Sequence, residues 1–271
     1  MAERSLDKLL TVVETAGYEL QKMFQAGVRA RKKKDSSLVT DADLLSEKII
    51  MDWIKSEYPQ DLIVSEESGV VTARGQPSGW AWIIDPLDGT SNFANGMSYF
   101  CISVAFGQLN GKAFEAEGAA ILAPVEDKMF HAKRGEGAFL AGRPLVSSTV
   151  TKLSDAYVGC GLSLDGSDEA LVQTYIDLSR AVHGSRRMGA AALDLAYVAA
   201  GVFDVFFAEN LQPWDMAAGS LLIEEAGGAV SNFNDNLRFN PFEPGIVAGN
   251  LELVASVQDT IKRNLLKRGT V

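Results

Sequence analysis

The sequence predicts a mixed α/β (α+β) fold built in layers, and three observations carry the prediction. The chain opens on an apolar stripe at helical spacing. Its middle holds short apolar runs bounded by turn residues, and after Leu153 strand-like and helix-like segments alternate. A chain of 271 residues has room for one large domain or two small intimate ones, with ample core.

Leu6, Leu9, Leu10, Val13, Ala16, Leu20 and Phe24 recur at helical steps and predict an amphipathic first helix. It stops before a basic run over 29–34, which includes Lys32, Lys33 and Lys34, and a polar turn, Asp35-Ser36-Ser37. LVTDADLLSEKIIMDWIKSEYP reads as a short extended piece entering a helix, with Asp43 near its start and Pro59 at its end. LIVSEES is a short strand running into acids; residues 80–84 and 101–107 are two more strands. Strand-like pieces around 118–122 and 128–132 lead into the GEGAFL turn and strand. In the second half YVGCG and FDVFFA are strand-like, whereas DEALVQTYIDLSRAV and GAAALDLAYVAAG are helical. WDMAAGSLLIEEAGG is a helix closed by glycines, and residues 251–266 form a last helix. The halves, 1–150 and 151–271, are expected to pack as one catalytic unit, with their acid-bearing strand and helix ends facing the seam.

Composition narrows the function classes. At 47% hydrophobic and 22% charged residues the chain is ordinary for a globular protein, and no apolar run approaches the roughly 20 residues of a membrane span. The start, MAERSLDKLL, lacks the basic-then-apolar layout of a signal peptide. Cys101 and Cys160 stand in no metal-like or redox-like spacing, which favours two reduced thiols in the cytoplasm over one disulfide. A net charge of −10 argues against a nucleic-acid-binding surface. It also means that a phosphorylated substrate would need cations at the site itself. His131 and His183 show no ligand spacing, and neither GxSxG nor a P-loop is present.

Acids at the edges of apolar elements are the main signal, because a bare carboxylate is expensive to bury. They are Asp43 in LVTDAD, Glu66 and Glu67 in SEES, Asp85 and Asp88 in DPLDGT, and Asp215 in PWDMAAG. A hard cation such as Mg²⁺ takes a few carboxylates, with water and substrate phosphate completing its shell. Pro86 fixes one backbone angle, so Asp85 and Asp88 can aim at one point, with the Leu87 carbonyl as a third oxygen. Gly89 and Thr90 follow where a helix could begin and its N–H groups receive a phosphate. Plainer readings stand beside these. Asp-Pro-x-Asp-Gly is ordinary turn chemistry, Glu66-Glu67 reads as a solvated strand edge, and Asp43 and Asp215 read as helix caps.

Asp85-Pro86-Leu87-Asp88-Gly89-Thr90-Ser91-Asn92-Phe93, preceded by Glu66-Glu67-Ser68 and followed by Trp214-Asp215-Met216-Ala217-Ala218-Gly219, resembles the inositol monophosphatase family. LVTDAD, RGEGAF, GAAALDLAYVAAG and EEAGG extend the likeness over nearly the whole chain. The resemblance implies an α-β-α-β-α sandwich of the inositol monophosphatase and fructose-1,6-bisphosphatase type. It also implies hydrolysis of phosphomonoesters that depends on two or three Mg²⁺ ions and is inhibited by Li⁺. By the same likeness Glu66, Asp85, the Leu87 carbonyl, Asp88 and Asp215 are metal ligands, and Asp88, Gly89, Thr90 and Asp215 hold the substrate. Asp43 with Thr90 positions and deprotonates the attacking water, assisted by Glu66. Gly189, Ala190 and Ala191 flank the alcohol, and Arg186 reaches it. A homodimer in the cytoplasm with a small phosphate ester as its partner completes the expectation.

One position departs from the pattern. Many inositol-hydrolysing relatives have a Glu seven residues before the Asp of the WD motif; here Ala208 stands there and Glu209 follows. Either the loop presents Glu209 or the polyol contact weakens. Two alternatives follow: a sugar or nucleotide bisphosphate as substrate, and a family member with an added regulatory, protein-binding role. The bisphosphate is disfavoured by the scarcity of basic residues near the motifs, the Lys32-Lys33-Lys34 run being read as a solvated loop.

Overall fold

The computed structural model describes residues 4–27, 31–32, 38–71, 74–161, 169–233 and 239–268. The first half runs α1 (Leu6–Ala26), β1 (Arg31–Lys32), β2 (Leu38–Val39), α2 (Asp41–Glu57), β3 (Leu62–Ser65), β4 (Gly69–Val71), β5 (Trp80–Asp88), α3 (Thr90–Ala94), β6 (Cys101–Asn110), β7 (Ala113–Ala123), β8 (Lys128–Lys133), β9 (Gly137–Leu140) and β10 (Arg143–Pro144). The second half runs β11 (Tyr157–Gly161), α4 (Glu169–Ala181), β12 (Gly184–Arg186), α5 (Ala191–Ala199), β13 (Val205–Ala208), α6 (Pro213–Glu225), β14 (Ala229–Ser231), β15 (Ile246–Gly249) and α7 (Leu251–Arg268). All the expected helices and strands are present. The sequence reading missed the short strands β1, β4, β10, β12, β14 and β15, whose few residues give no period to read, whereas α3 starts at Thr90, where a helix start was expected.

Two larger sheets hold the fold. An eight-stranded sheet has the order β10-β9-β8-β7-β6-β5-β3-β4 and is antiparallel except where β3 pairs β5 in parallel. A five-stranded sheet has the order β12-β11-β13-β15-β14, with β11 parallel to both neighbours. Helices α1 and α2 cover one face of the large sheet, α5 and α6 lie between the sheets, and α4 and α7 cover the far face of the small one. The result is the expected α-β-α-β-α sandwich.

Side-chain alternation explains the layering. Along β5, Ala81 and Ile83 face the core shared with α5 and α6, while Trp82 and Ile84 face the core under α1 and α2. In α6 every residue from Met216 to Ile223 is buried, as a helix clamped between two sheets must be. Gly219 permits that clamp, since a Cβ there would lie 2.4 Å from the Leu195 Cβ of α5. Both cysteines are free and buried. The basic run lies mostly outside the described residues; within it Arg31 and Lys32 pair with Val39 and Leu38. Among the described residues no helix is long and apolar enough to cross a membrane.

Candidate metal and phosphate site

The site forms where strand ends and helix starts meet. Pro86 cannot donate to the β5–β6 ladder, and the register breaks between Asp85 and Asp88. Ser46 of α2 donates its hydroxyl to the Pro86 carbonyl at 2.8 Å, and the Leu87 N–H donates to Asp85 at 3.1 Å, so the broken segment has a fixed shape. Because β3 runs parallel to β5, its end reaches the same edge, where the Glu66 N–H donates to the Ile84 carbonyl at 3.2 Å. Helix α6 brings Asp215 to this edge from the middle layer. Its carboxylate caps the helix by accepting from the Gln212 N–H at 2.7 Å.

Asp85, Asp88 and Asp215 each place a carboxylate oxygen within 4.8 Å of the other two. They line a cavity of about 580 Å³ together with Glu66, Glu67, Leu87, Gly89, Thr90, Gln212 and Trp214. Among the described residues, five carboxylates and no basic side chain form its wall. Burial pushes Asp85 well above the usual carboxylate range, and the charges of Asp88, Glu66 and Asp215 add to the effect. Burial likewise lifts Asp88 to about 7 and Asp215 to about 8. An all-oxygen set that holds protons because burial, and then the crowding of its charges, disfavours the ionised form fits a hard divalent cation, which replaces the protons and cancels the repulsion.

Helix starts supply the complementary field. Ala190 begins α5 without a side-chain cap, and the Ala192 N–H donates to Asp88 at 2.7 Å. α6 begins at Pro213, and the short turn α3 begins at Gly89, so three helical N-termini gather around the acids. Gly89 sits at φ 90°, and a Cβ there would come within 3.0 Å of the Tyr99 carbonyl oxygen and 3.1 Å of the Ala190 Cβ. This close approach leaves backbone N–H groups within reach of an anion.

Asp43 is fully buried in the first turn of α2, where Thr40 gives one of its oxygens both the backbone N–H (2.7 Å) and the hydroxyl (2.6 Å). Its other oxygen accepts from the Thr90 hydroxyl at 3.0 Å. The capping reading and the pairing with Thr90 therefore coexist. Burial raises the Asp43 carboxyl above its ordinary range against the lowering effect of these hydrogen bonds.

A second cavity, of about 250 Å³, shares Asp88 and Asp215 with the first. Gly189, Ala190 and Ala191 line it, where the sequence placed the alcohol. Arg186 does not: its guanidinium stacks 4.9 Å from the centre of the Tyr157 ring at the sheet edge. Arg187 lines the cavity instead, because neighbouring side chains on extended backbone point to opposite sides. Ala208 is buried in β13, whereas Glu209, Asn210 and Leu211 line the cavity, so the loop presents Glu209. Cys160 and Asp194 complete the wall and were not anticipated there. For Asp194 a signal existed, a lone acid in an otherwise apolar helix.

Comparison with known proteins agrees with this geometry. A profile of the Inositol monophosphatase family matches residues 3–264. The chain is 39% identical over 243 residues to the Nus factor SuhB of Pseudomonas aeruginosa, covering 88% of each chain. It is 37% identical over 264 residues to the inositol-1-monophosphatase of Rhizobium meliloti, covering 95% of this chain and 96% of the relative. The solved structure of an IMPase from Thermotoga maritima superposes with a TM-score of 0.85 at 28% identity, covering 97% of this chain and 98% of the other.

Proposed function

The chain belongs to the inositol monophosphatase family, and from that premise we propose that it is a Mg²⁺-dependent phosphomonoesterase. Its substrate is inositol monophosphate or a similar polyol phosphate, cut to the alcohol and inorganic phosphate. The observation that carries the reading is the cavity whose wall, among the described residues, holds five carboxylates, with Asp85, Asp88 and Asp215 in mutual reach.

Asp85, Asp88 and Asp215, with Glu66 and the Leu87 carbonyl, would hold two or three Mg²⁺ ions. When bound, the cations supply an acidified water and neutralise the phosphate dianion. Every other task falls to the chain. The Thr90 hydroxyl and Asp43 hold and accept the proton of the attacking water, with Glu66 assisting. Gly89 and Thr90 offer the phosphate backbone N–H and hydroxyl donors, and the starts of α5 and α6 favour its charge. Asp88 is itself held by the Ala192 N–H. Gly189, Ala190 and Ala191 leave room for the leaving alcohol. The buried cysteine thiols are held protonated, Cys101 well above its usual range and Cys160 at about 12, so neither serves as a nucleophile and water attacks directly.

Phosphate release from a panel of esters, compared by kcat/KM with and without Mg²⁺, tests the reading. A polyol monophosphate should lead bisphosphates, millimolar Li⁺ should inhibit, and Asp88→Asn should abolish release. Near-normal turnover by that variant at saturating Mg²⁺ would defeat the proposal.

Relatives named Nus factor SuhB favour a second reading, an added regulatory role through contact with a macromolecular partner. Net charge is a whole-chain sum, so the exclusion of nucleic acid drawn from it does not reach a local surface of such a complex. Partners retained by Asp88→Asn in a pull-down would support this role. From the family likeness and the two free thiols we also propose a homodimer of the cytoplasm, and sedimentation would test the dimer by mass.

A further inference from the structure

Asp194 is a buried acid that the proposed hydrolysis leaves without a task. It is 1% exposed, in the first turn of α5, and it lines the smaller cavity beside Cys160, Ala190 and Ala191. One of its oxygens, Oδ1, accepts from the Tyr99 hydroxyl at 2.6 Å. Among the described residues no donor is found for the other, Oδ2. Oδ2 is not among the enclosed, unpartnered polar atoms of the described residues, so it opens onto the cavity, where a ligand hydroxyl can donate to it.

The position of the cavity says what that donor could be. Asp88 and Asp215 line both cavities, so an ester whose phosphate occupies the larger one projects its alcohol into the smaller, over Asp194. That space mixes the apolar surfaces of Cys160, Ala190, Ala191 and Leu211 with polar groups of Arg187, Glu209 and Asn210, and among these Asp194 is held in place by Tyr99 as a fixed acceptor. Tyr99 is fixed as well. Its carbonyl accepts from the Asn92 side chain at 2.7 Å, and the same amide group donates to the Met188 carbonyl at 2.9 Å.

We infer that Asp194 is a specificity-determining residue whose free carboxylate oxygen accepts a hydrogen bond from a hydroxyl of the leaving alcohol. The inference rests on the phosphomonoesterase reading and sharpens it. The favoured ester is that of an alcohol carrying a second hydroxyl placed to reach Asp194. An alcohol with only carbon there strands the acceptor, and one with a second phosphate there meets like charge. Sites built to bind a hydroxyl reject analogues that lack it more strongly than sites built on shape alone.

The test compares myo-inositol 1-phosphate with cyclohexyl phosphate, which keeps the ring and lacks the hydroxyls, in wild type and Asp194→Asn at saturating Mg²⁺. The amide keeps an oxygen for Tyr99 and turns a donor toward the substrate. Wild type should prefer the inositol ester in kcat/KM by about 10- to 100-fold, and Asp194→Asn should lose about tenfold or more of that preference. A preference that survives in Asp194→Asn, whatever loss the two esters share, overturns the inference. So does a wild type that does not distinguish the esters, a result that needs no variant. If neither ester is cut, the phosphatase reading fails, and product binding decides the inference. A larger melting-temperature rise with myo-inositol than with cyclohexanol, lost in Asp194→Asn, supports it; equal rises overturn it.

Discussion

Thr90 donates its hydroxyl to Asp43 at 3.0 Å, joining the turn after β5 to the start of α2 across 47 residues of chain. The Leu87 carbonyl, at 3.1 Å, competes for the same proton. Thr40 saturates the other oxygen of Asp43, so the carboxylate cannot turn away from Thr90. Thr90→Val keeps the shape and removes the proton path. It should lower kcat by about 10²- to 10⁴-fold, the usual worth of a positioned acid–base group, with little change in KM. Steady-state rates at saturating Mg²⁺ decide this, and a variant within a few-fold of wild type would remove Thr90 and Asp43 from the proton path.

Asp215→Asn separates folding from function. The amide oxygen can still accept from the Gln212 N–H, so the helix cap survives. The charge that crowds Asp85 and Asp88 is gone. Without divalent cations the variant should melt higher than wild type by a few degrees, since about 1 kcal/mol moves Tm by about 2–4 °C in a domain near this size. Addition of Mg²⁺ should raise Tm strongly in wild type and little in the variant. Calorimetry in chelator and in Mg²⁺ reads both, and an equal Mg²⁺ response in the two proteins would remove Asp215 from the cation site.

Burial of these acids, with their mutual repulsion, sets a pH dependence. In the unfolded chain Asp88 and Asp215 release their protons near the ordinary value of 3.8; in the cation-free fold they hold them to about 7 and about 8. Between those limits the native state binds more protons, so stability falls as pH rises from about 4 to about 8. Bound Mg²⁺ must displace these protons, and its stabilising effect should grow over the same window. Melting curves from pH 5 to pH 8 should therefore descend in chelator and diverge upward in Mg²⁺. A chelated protein that gains stability over this range would contradict the crowded-acid account.

How much of this was legible depends on how locally each feature is encoded. Asp85 and Asp88 could be read because Pro86 marks the break between them. The ends of α6 could be read from the cap at Asp215 and the Gly227-Gly228 pair, although the helix is buried along Met216 to Ile223 and has no polar face there to give a period. The bond from Thr90 to Asp43 and that from Ser46 to the Pro86 carbonyl join residues 47 and 40 apart, and nothing in either segment announces the other. The strand β15 is only Ile246–Gly249, bordered by Gly245 and Asn250, too short to separate from a loop. Tyr99 and Asp194 meet only because α5 is laid against the large sheet. The swap of Arg186 for Arg187 has the same root: β12 was not seen as a strand, so the side on which each arginine falls could not be assigned.

That swap makes the last prediction. Among the described residues Arg187 is the one basic side chain lining the alcohol cavity, beside acids at Asp88, Asp194, Glu209 and Asp215. Removing it in Arg187→Ala should act mainly on KM for the ester, by weakening binding that ground state and transition state share. Arg186 stacks on Tyr157 at the edge of the small sheet and donates to the Ser185 carbonyl at 2.8 Å. Arg186→Ala should leave KM in place and cost about 0.5–1 kcal/mol of stability, the worth of an exposed cation–π contact. Measuring KM and Tm for both variants tests the assignment at once. A rise in KM confined to Arg186→Ala would return the role to the residue first chosen from sequence, and would mean that β12 presents its arginines in the opposite sense when substrate is bound.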